Sequence, residues 1–166
     1  MSSDTALRLP RRAALLGLCA LAGCGFRPVY GNGGTATVLR DAITLSAPET
    51  PDGYALRQRI EDRLGRATDV RYSLDVTIDV GTVAVAVSPE DTATRINLPG
   101  TATWVLKDAA GTVLGQGKAD TFAAYSTTAS TVATLTAEDD AHSRLMVALA
   151  DQIVTQLIAL SPRLPA

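Results

Sequence analysis

Several residue types that carry chemistry are scarce in this chain of 166 residues. It has one histidine, two cysteines, one tryptophan and two lysines, Lys107 and Lys118, and aromatics make up only 4%. One histidine and two cysteines leave little from which to build a metal site. Nucleic-acid binding calls for clustered positive charge and neighbouring aromatics for base stacking. Here 15 Lys and Arg face 17 Asp and Glu, a net charge of -2, and the seven aromatics are scattered. No Gly-rich loop precedes a helix in the pattern that cradles phosphate. These absences disfavour a nucleic-acid binder, a metalloprotein and a nucleotide enzyme; 166 residues suit one hydrophobic core.

What is present begins at the N-terminus. A basic part (Arg8, Arg11, Arg12) precedes an apolar run from Ala13 to Ala22 and a small-residue end at Gly23-Cys24, the order of a secretory signal. As a helix, Ala13–Gly23 reaches only about 16 Å, short of the roughly 30 Å of bilayer hydrocarbon. The tetrapeptide Leu21-Ala22-Gly23-Cys24 resembles a bacterial lipobox, with cleavage before Cys24 and acylation of its sulfur. Cys19 leaves with residues 1–23, so the expected mature chain has one cysteine, consumed by lipid, and no internal disulfide. Loss of Arg8, Arg11, Arg12 and Asp4 also makes the net charge -4. Membrane attachment then comes from acyl chains and not from charge attraction to anionic lipid.

Residues 24–37, rich in glycine and turn residues (Gly31, Asn32, Gly33, Gly34), are expected to form a lipidated tether, followed by one domain over 38–166. A strand is expected near Ala42–Ala47. Thr50-Pro51-Asp52 supplies a cap, a first-turn proline and a first-turn acid. Leu56, Ile60, Leu64 and Ala67 then make one apolar stripe, which predicts a helix over Asp52–Ala67. From Tyr72 the period becomes two and runs through Val76 and Val80 to Val87, a long strand with a bulge expected at Gly81. Further strands are expected at Thr92–Lys107, interrupted at Pro99-Gly100, and at Thr112–Tyr125. Ser126–Leu135 is too weakly apolar to pack strongly, and Thr136 is expected to cap a closing helix. Its apolar face carries Met146, Leu149, Ala150, Ile153, Leu157 and Leu160, with Asp140, Arg144, Asp151 and Thr155 opposite. The fold expected is α+β, in the order β-α-β-β-β-α. Two helices pack on one face of a four-stranded, mainly antiparallel sheet.

No catalytic residues are assigned. Asp139, His142 and Ser143 have the residue types of a hydrolase triad, but neighbours on one helical turn point about 100° apart and cannot form the relay. Asp75 and Asp79 share the wet face of a strand, where solvation is the simple explanation. Arg57, Arg59, Arg63, Arg66 and Arg71 lie among Glu61 and Asp62, the pattern of a solvated, salt-bridged face. Arg95 and Lys118 fall on strands, where a cation is able to meet a lipid phosphate.

The run from Leu21 to Gly31, Leu-Ala-Gly-Cys-Gly-Phe-Arg-Pro-Val-Tyr-Gly, resembles the start of the alphaproteobacterial form of the LptE family of lipopolysaccharide-assembly lipoproteins. Ala93–Leu98 and the Ala137–Leu160 helix are similar to the same family. The resemblance implies a two-helix, four-stranded sandwich without enzymatic activity or a cofactor beyond the lipid on Cys24. It implies a plug and assembly partner inside the outer-membrane barrel LptD, in contact with lipopolysaccharide and facing the periplasm or the barrel lumen. Gly25 stands where an aspartate favours inner-membrane retention, so outer-membrane sorting is allowed. The basic residues that touch lipopolysaccharide in some relatives are replaced here by Pro89-Glu90-Asp91 and Thr134-Leu135-Thr136, which leaves Arg95 and Lys118 as candidates. The alternative reading is a lipid-anchored auxiliary subunit of an ABC-type lipid transporter.

Overall fold

The computed structural model describes residues 35–87, 93–127 and 130–165. The signal segment, Cys24 and the glycine-rich stretch therefore lie outside the described residues, as does Pro89-Glu90-Asp91. A single 3-10 turn, Thr35–Val38, leads into β1 (Ile43–Ser46), α1 (Pro51–Leu64), β2 (Tyr72–Val80), β3 (Val83–Val87), β4 (Ala93–Asp108), β5 (Val113–Ser126) and α2 (Thr131–Leu160). A last 3-10 turn, Ser161–Arg163, follows. The expected α+β architecture is present, with five strands instead of four.

β4 is the spine of the sheet. β5 pairs antiparallel along one side of it, and β2 and β3 lie end to end along the other. The extra strand comes from a break at Gly81 and Thr82 within the long expected one. The register with β4 carries across that break, Val80 opposite Gly100 and Val83 opposite Asn97, and the bulge falls later, between Ala84 and Val87. β1 joins β2 in parallel, Ile43 opposite Tyr72, through the α1 crossover.

β4 runs unbroken through Pro99. On an antiparallel strand the N–H and C=O of one residue point to the same neighbour. The Pro99 carbonyl accepts from the Gly81 N–H (2.8 Å). The donor that proline lacks therefore faces the break between β2 and β3, where the chain leaves strand geometry, and costs little.

Thr50 caps α1, its hydroxyl accepting from the Gly53 N–H (3.2 Å). The helix ends at Leu64, three residues before the expected end, because Gly65 adopts a φ of 83° and its N–H closes back on the Glu61 carbonyl. α2 begins five residues before Thr136: Ser130 is the cap, with its hydroxyl 3.4 Å from the Ala133 N–H, and the Thr136 hydroxyl donates to the Val132 carbonyl inside the helix. None of residues 131–140 is buried, so no apolar stripe marks that start in the sequence. From Ala141 onward Leu145, Met146, Leu149, Ala150, Ile153, Val154 and Leu157 are fully buried. They meet Leu56, Ile60 and Leu64 of α1 and Leu74, Leu98, Ala102, Trp104 and Leu106 of the sheet in one core. The buried Trp104 indole donates to the Gln156 amide oxygen (2.7 Å), which meets the hydrogen-bond need of a ring otherwise used for packing.

Candidate functional site

Alternation along β4 places Leu98, Ala102, Trp104 and Leu106 under the helices and Arg95, Asn97, Thr101, Thr103 and Lys107 on the opposite, helix-free face. Arg95 and Lys118 both belong to the helix-free face, and both are exposed. The structure does not bring them together. Arg95 lies opposite Ser126 and Lys118 opposite Thr103, eight positions along β4, which is roughly 27 Å at strand spacing.

Arg95 lies at the end of the sheet nearest the start of α2. It lines a shallow cleft with Ala124, Tyr125 and Ser126 from the end of β5 and Ala137, Asp140 and Arg144 from α2. The Arg144 guanidinium is held in place, its Nε donating to Asp140 (2.8 Å) and its Nη2 to the Ala124 carbonyl (3.3 Å). Tyr125 is buried, and burial pushes its phenol above the ordinary value, with a further push from Glu138. It stays protonated at neutral pH. Two guanidiniums stand beside the Asp140 and Glu138 carboxylates, so the cleft is balanced in charge, and its guanidinium forks suit phosphate or carboxylate oxygens. In the sequence Arg144 is only a polar residue opposite the core, and nothing there links it to Arg95.

Arg59, Arg63, Arg66 and Arg71 are engaged structurally, whereas the Arg57 Nε is buried without a hydrogen-bond partner among the described residues. Arg59 and Arg63 are not a merely solvated face, because both reach across to α2 and clamp Asp151. Arg59 Nε and Nη2 each donate at 2.9 Å and Arg63 Nη1 donates at 2.8 Å. Asp151 therefore sits at the helix pair and not on the free side of α2. Its carboxyl is held below the ordinary value, chiefly by the hydrogen bond from Arg59, against the opposing effect of burial. Arg66 pairs with Glu61 (3.1 Å). Arg71 donates to the Val38 carbonyl (2.8 Å) and lies 5.7 Å from the centre of the Tyr72 ring.

The residues resembling a triad do not form one. The His142 Nδ1 lies 3.0 Å from both carboxylate oxygens of Asp52 at the start of α1, while Ser143 and Asp139 are exposed on α2. Asp75 is paired with Lys107 (2.7 Å), so it does not join Asp79 in a cation site. Among the described residues no group of three or more His, Cys, Asp or Glu is placed to hold a metal ion.

Residues 41–157, from the turn before β1 to the last buried leucine of α2, match the family model described as LptE, lipopolysaccharide-assembly. The chain belongs to the LptE family. Its members are assembly lipoproteins of the bacterial envelope, not enzymes, and the role is in lipopolysaccharide assembly. Solved structures share the fold. A putative lipoprotein from Caulobacter crescentus is similar with a TM-score of 0.64 at 24% identity, over 76% of this chain and 96% of that one. Lipoprotein B from Nitrosomonas europaea gives 0.60 at 14% identity, over 83% and 93%. The rare lipoprotein B from Shewanella oneidensis gives 0.57 at 10% identity, over 74% and 96%. No curated protein matches the chain.

Proposed function

We propose that this LptE-family protein is acylated on Cys24 after removal of residues 1–23. Tethered by residues 24–37 at the outer membrane, its domain serves as plug and assembly partner of the barrel LptD during lipopolysaccharide delivery. The observation that carries the reading is the family match across both helices and the sheet. The lipobox-like Leu21-Ala22-Gly23-Cys24 agrees with it. Within this reading the cleft between Arg95 and Arg144 is the place where a lipopolysaccharide phosphate meets guanidinium donors. Lys118, exposed on the open face two residues from Asp120, has the weaker claim, since an exposed charge contributes little in salt.

The test is binding of lipopolysaccharide by the purified protein together with co-purification of the barrel from detergent-solubilised membranes. Arg95→Glu is expected to weaken lipopolysaccharide binding by about tenfold, the loss of one charge-assisted contact. Lys118→Glu is expected to do less, and the barrel is expected to co-purify with both. Unchanged binding in the double variant would leave the protein as plug and assembly aid only. Recovery of an inner-membrane permease in place of the barrel would reject the reading. Mass spectrometry of the wild type is expected to find an acylated chain beginning at Cys24.

A further inference from the structure

The two edges of the sheet are treated differently. The outer edge of β5 is closed by a polar row of α2: Arg144 donates to the Ala124 carbonyl (3.3 Å), Gln152 to Asp120 (3.2 Å) and Gln156 to Lys118 (2.9 Å). Such side chains occupy acceptors that another strand would otherwise use. On the opposite side β1 covers only Tyr72–Asp75 of β2. Beyond it, among the described residues, no strand lies beside 76–80 or 83–87.

The orientation of that open edge follows from two bonds. The Tyr72 N–H donates to Ala42, on the β1 side, and the Gly81 N–H donates to Pro99, on the β4 side. Even-numbered residues of β2 therefore point their backbone groups outward; the parallel register uses the Val76 N–H on Ser46, so among the described residues Ile78 and Val80 present free N–H and C=O groups and Val76 its C=O. Ala84, in the same register, continues the row. The segment 76–87 holds no lysine and no proline, the residues that usually guard an edge, and is rich in valine. Val83 and Val85 are about half exposed, at 48% and 49%.

Charge narrows the occupant. Asp79 is the only charged residue of the segment and lies on the open face, opposite Thr101, whose other neighbour is Asp120. That row of three has two carboxylates and no cation, whereas the Asp75 row is neutralised by Lys107. A second copy of this edge brings no basic residue. We propose that the edge formed by Val76–Val80 and Val83–Ala84 is a β-augmentation site. It takes an extended strand of a partner polypeptide that is apolar at alternate positions and carries a Lys or Arg beside Asp79. The main chain supplies the ladder, and the charge sets the register. This inference does not depend on the lipopolysaccharide site.

The probe is a capped peptide of alternating valine and threonine with one central lysine, added to the full chain in detergent, with amide exchange followed residue by residue. Exchange at Ile78 and Val80 is expected to slow at least about tenfold, with no change at Asp120 and Phe122 on the guarded edge. Asp79→Lys, at an exposed position, is expected to abolish the preference for the lysine peptide over its glutamate counterpart. Ala84→Pro removes an outward donor without breaking the ladder to β4 and is expected to shorten the protected stretch. The proposal is overturned if exchange is unchanged at saturating peptide, if both edges are protected equally, or if a peptide N-methylated along its pairing side protects as well. Self-association of the unliganded chain through this edge, seen by sedimentation, also overturns it.

Discussion

The two faces of the sheet are made of alternate residues of the same strands, yet one is closed under the helices and the other is open. On β4 the helix-side residues Leu98, Ala102, Trp104 and Leu106 are buried, while Thr101 and Thr103 between them face away from the helices. The helix side also needs gaps. A Cβ on Gly100 would lie 2.8 Å from a methyl of Leu145, one on Gly115 2.5 Å from a methyl of Leu160, and one on Gly117 2.7 Å from the Trp104 ring. α2 lies close enough to the sheet that glycine is the residue that fits under it. The open face carries serine, threonine and charge, with Phe122 exposed among them.

The sharpest test of that contrast is Leu157→Asp. Leu157 is fully buried, and an unpaired carboxylate there is expected to cost about 4 kcal/mol or more, enough to unfold a domain of ordinary stability. Loss of the thermal transition in circular dichroism is the expected readout. Melting like the wild type would remove α2 from the core.

Next in size is Gly100→Val, expected to cost about 1–3 kcal/mol through overpacking against Leu145, set against Thr101→Val, one residue along on the open face, expected to change stability by less than about 0.5 kcal/mol. Chemical denaturation of the two variants compares the faces directly. Equal midpoints would show that the close approach of α2 has no energetic weight.

A smaller effect is expected from Asp151→Asn, about 1 kcal/mol, because the clamp side chains are about one third exposed and water screens them. The sign with pH is definite. The Asp151 carboxyl is depressed in the folded state, so its contribution is fully present above the ordinary carboxylate value of about 4 and fades as pH falls through the lower folded value. The gap between wild type and variant is therefore expected to close in acid and stay constant from pH 5 to 8. The smallest effect is Asp75→Ala on the open face, within about 0.5 kcal/mol despite the 2.7 Å contact with Lys107, since both side chains are well exposed.

Several misplacements in the sequence reading share one cause, that the deciding contact was distant in sequence. Proline at 99 reads locally as a strand breaker, and only the neighbouring break at Gly81 shows why its missing donor does no harm. Asp151 reads as a solvent residue because the helical wheel knows only the core, whereas its partners Arg59 and Arg63 come from the other helix. The start of α2 was invisible for a different reason. None of residues 131–140 is fully buried and only Ala137 packs against the core, so they leave no periodic signal and extend a helix held elsewhere. Among candidate site residues, Arg95 gains a neighbour in Arg144.

What the sequence by itself determined is the kind and order of the elements. Period-two and period-3.6 alternation, the Thr50-Pro51 start and the stop at Ser161-Pro162 are local properties of the chain, and solvation acts on them wherever the chain goes. Tertiary structure alone decided which strands became neighbours, that Arg59 and Arg63 meet Asp151, that Arg95 shares a cleft with Arg144, and which edge α2 guards. Those outcomes depend on the course of α2 across the sheet, which core packing against Gly100, Gly115 and Gly117 dictates and no local pattern encodes.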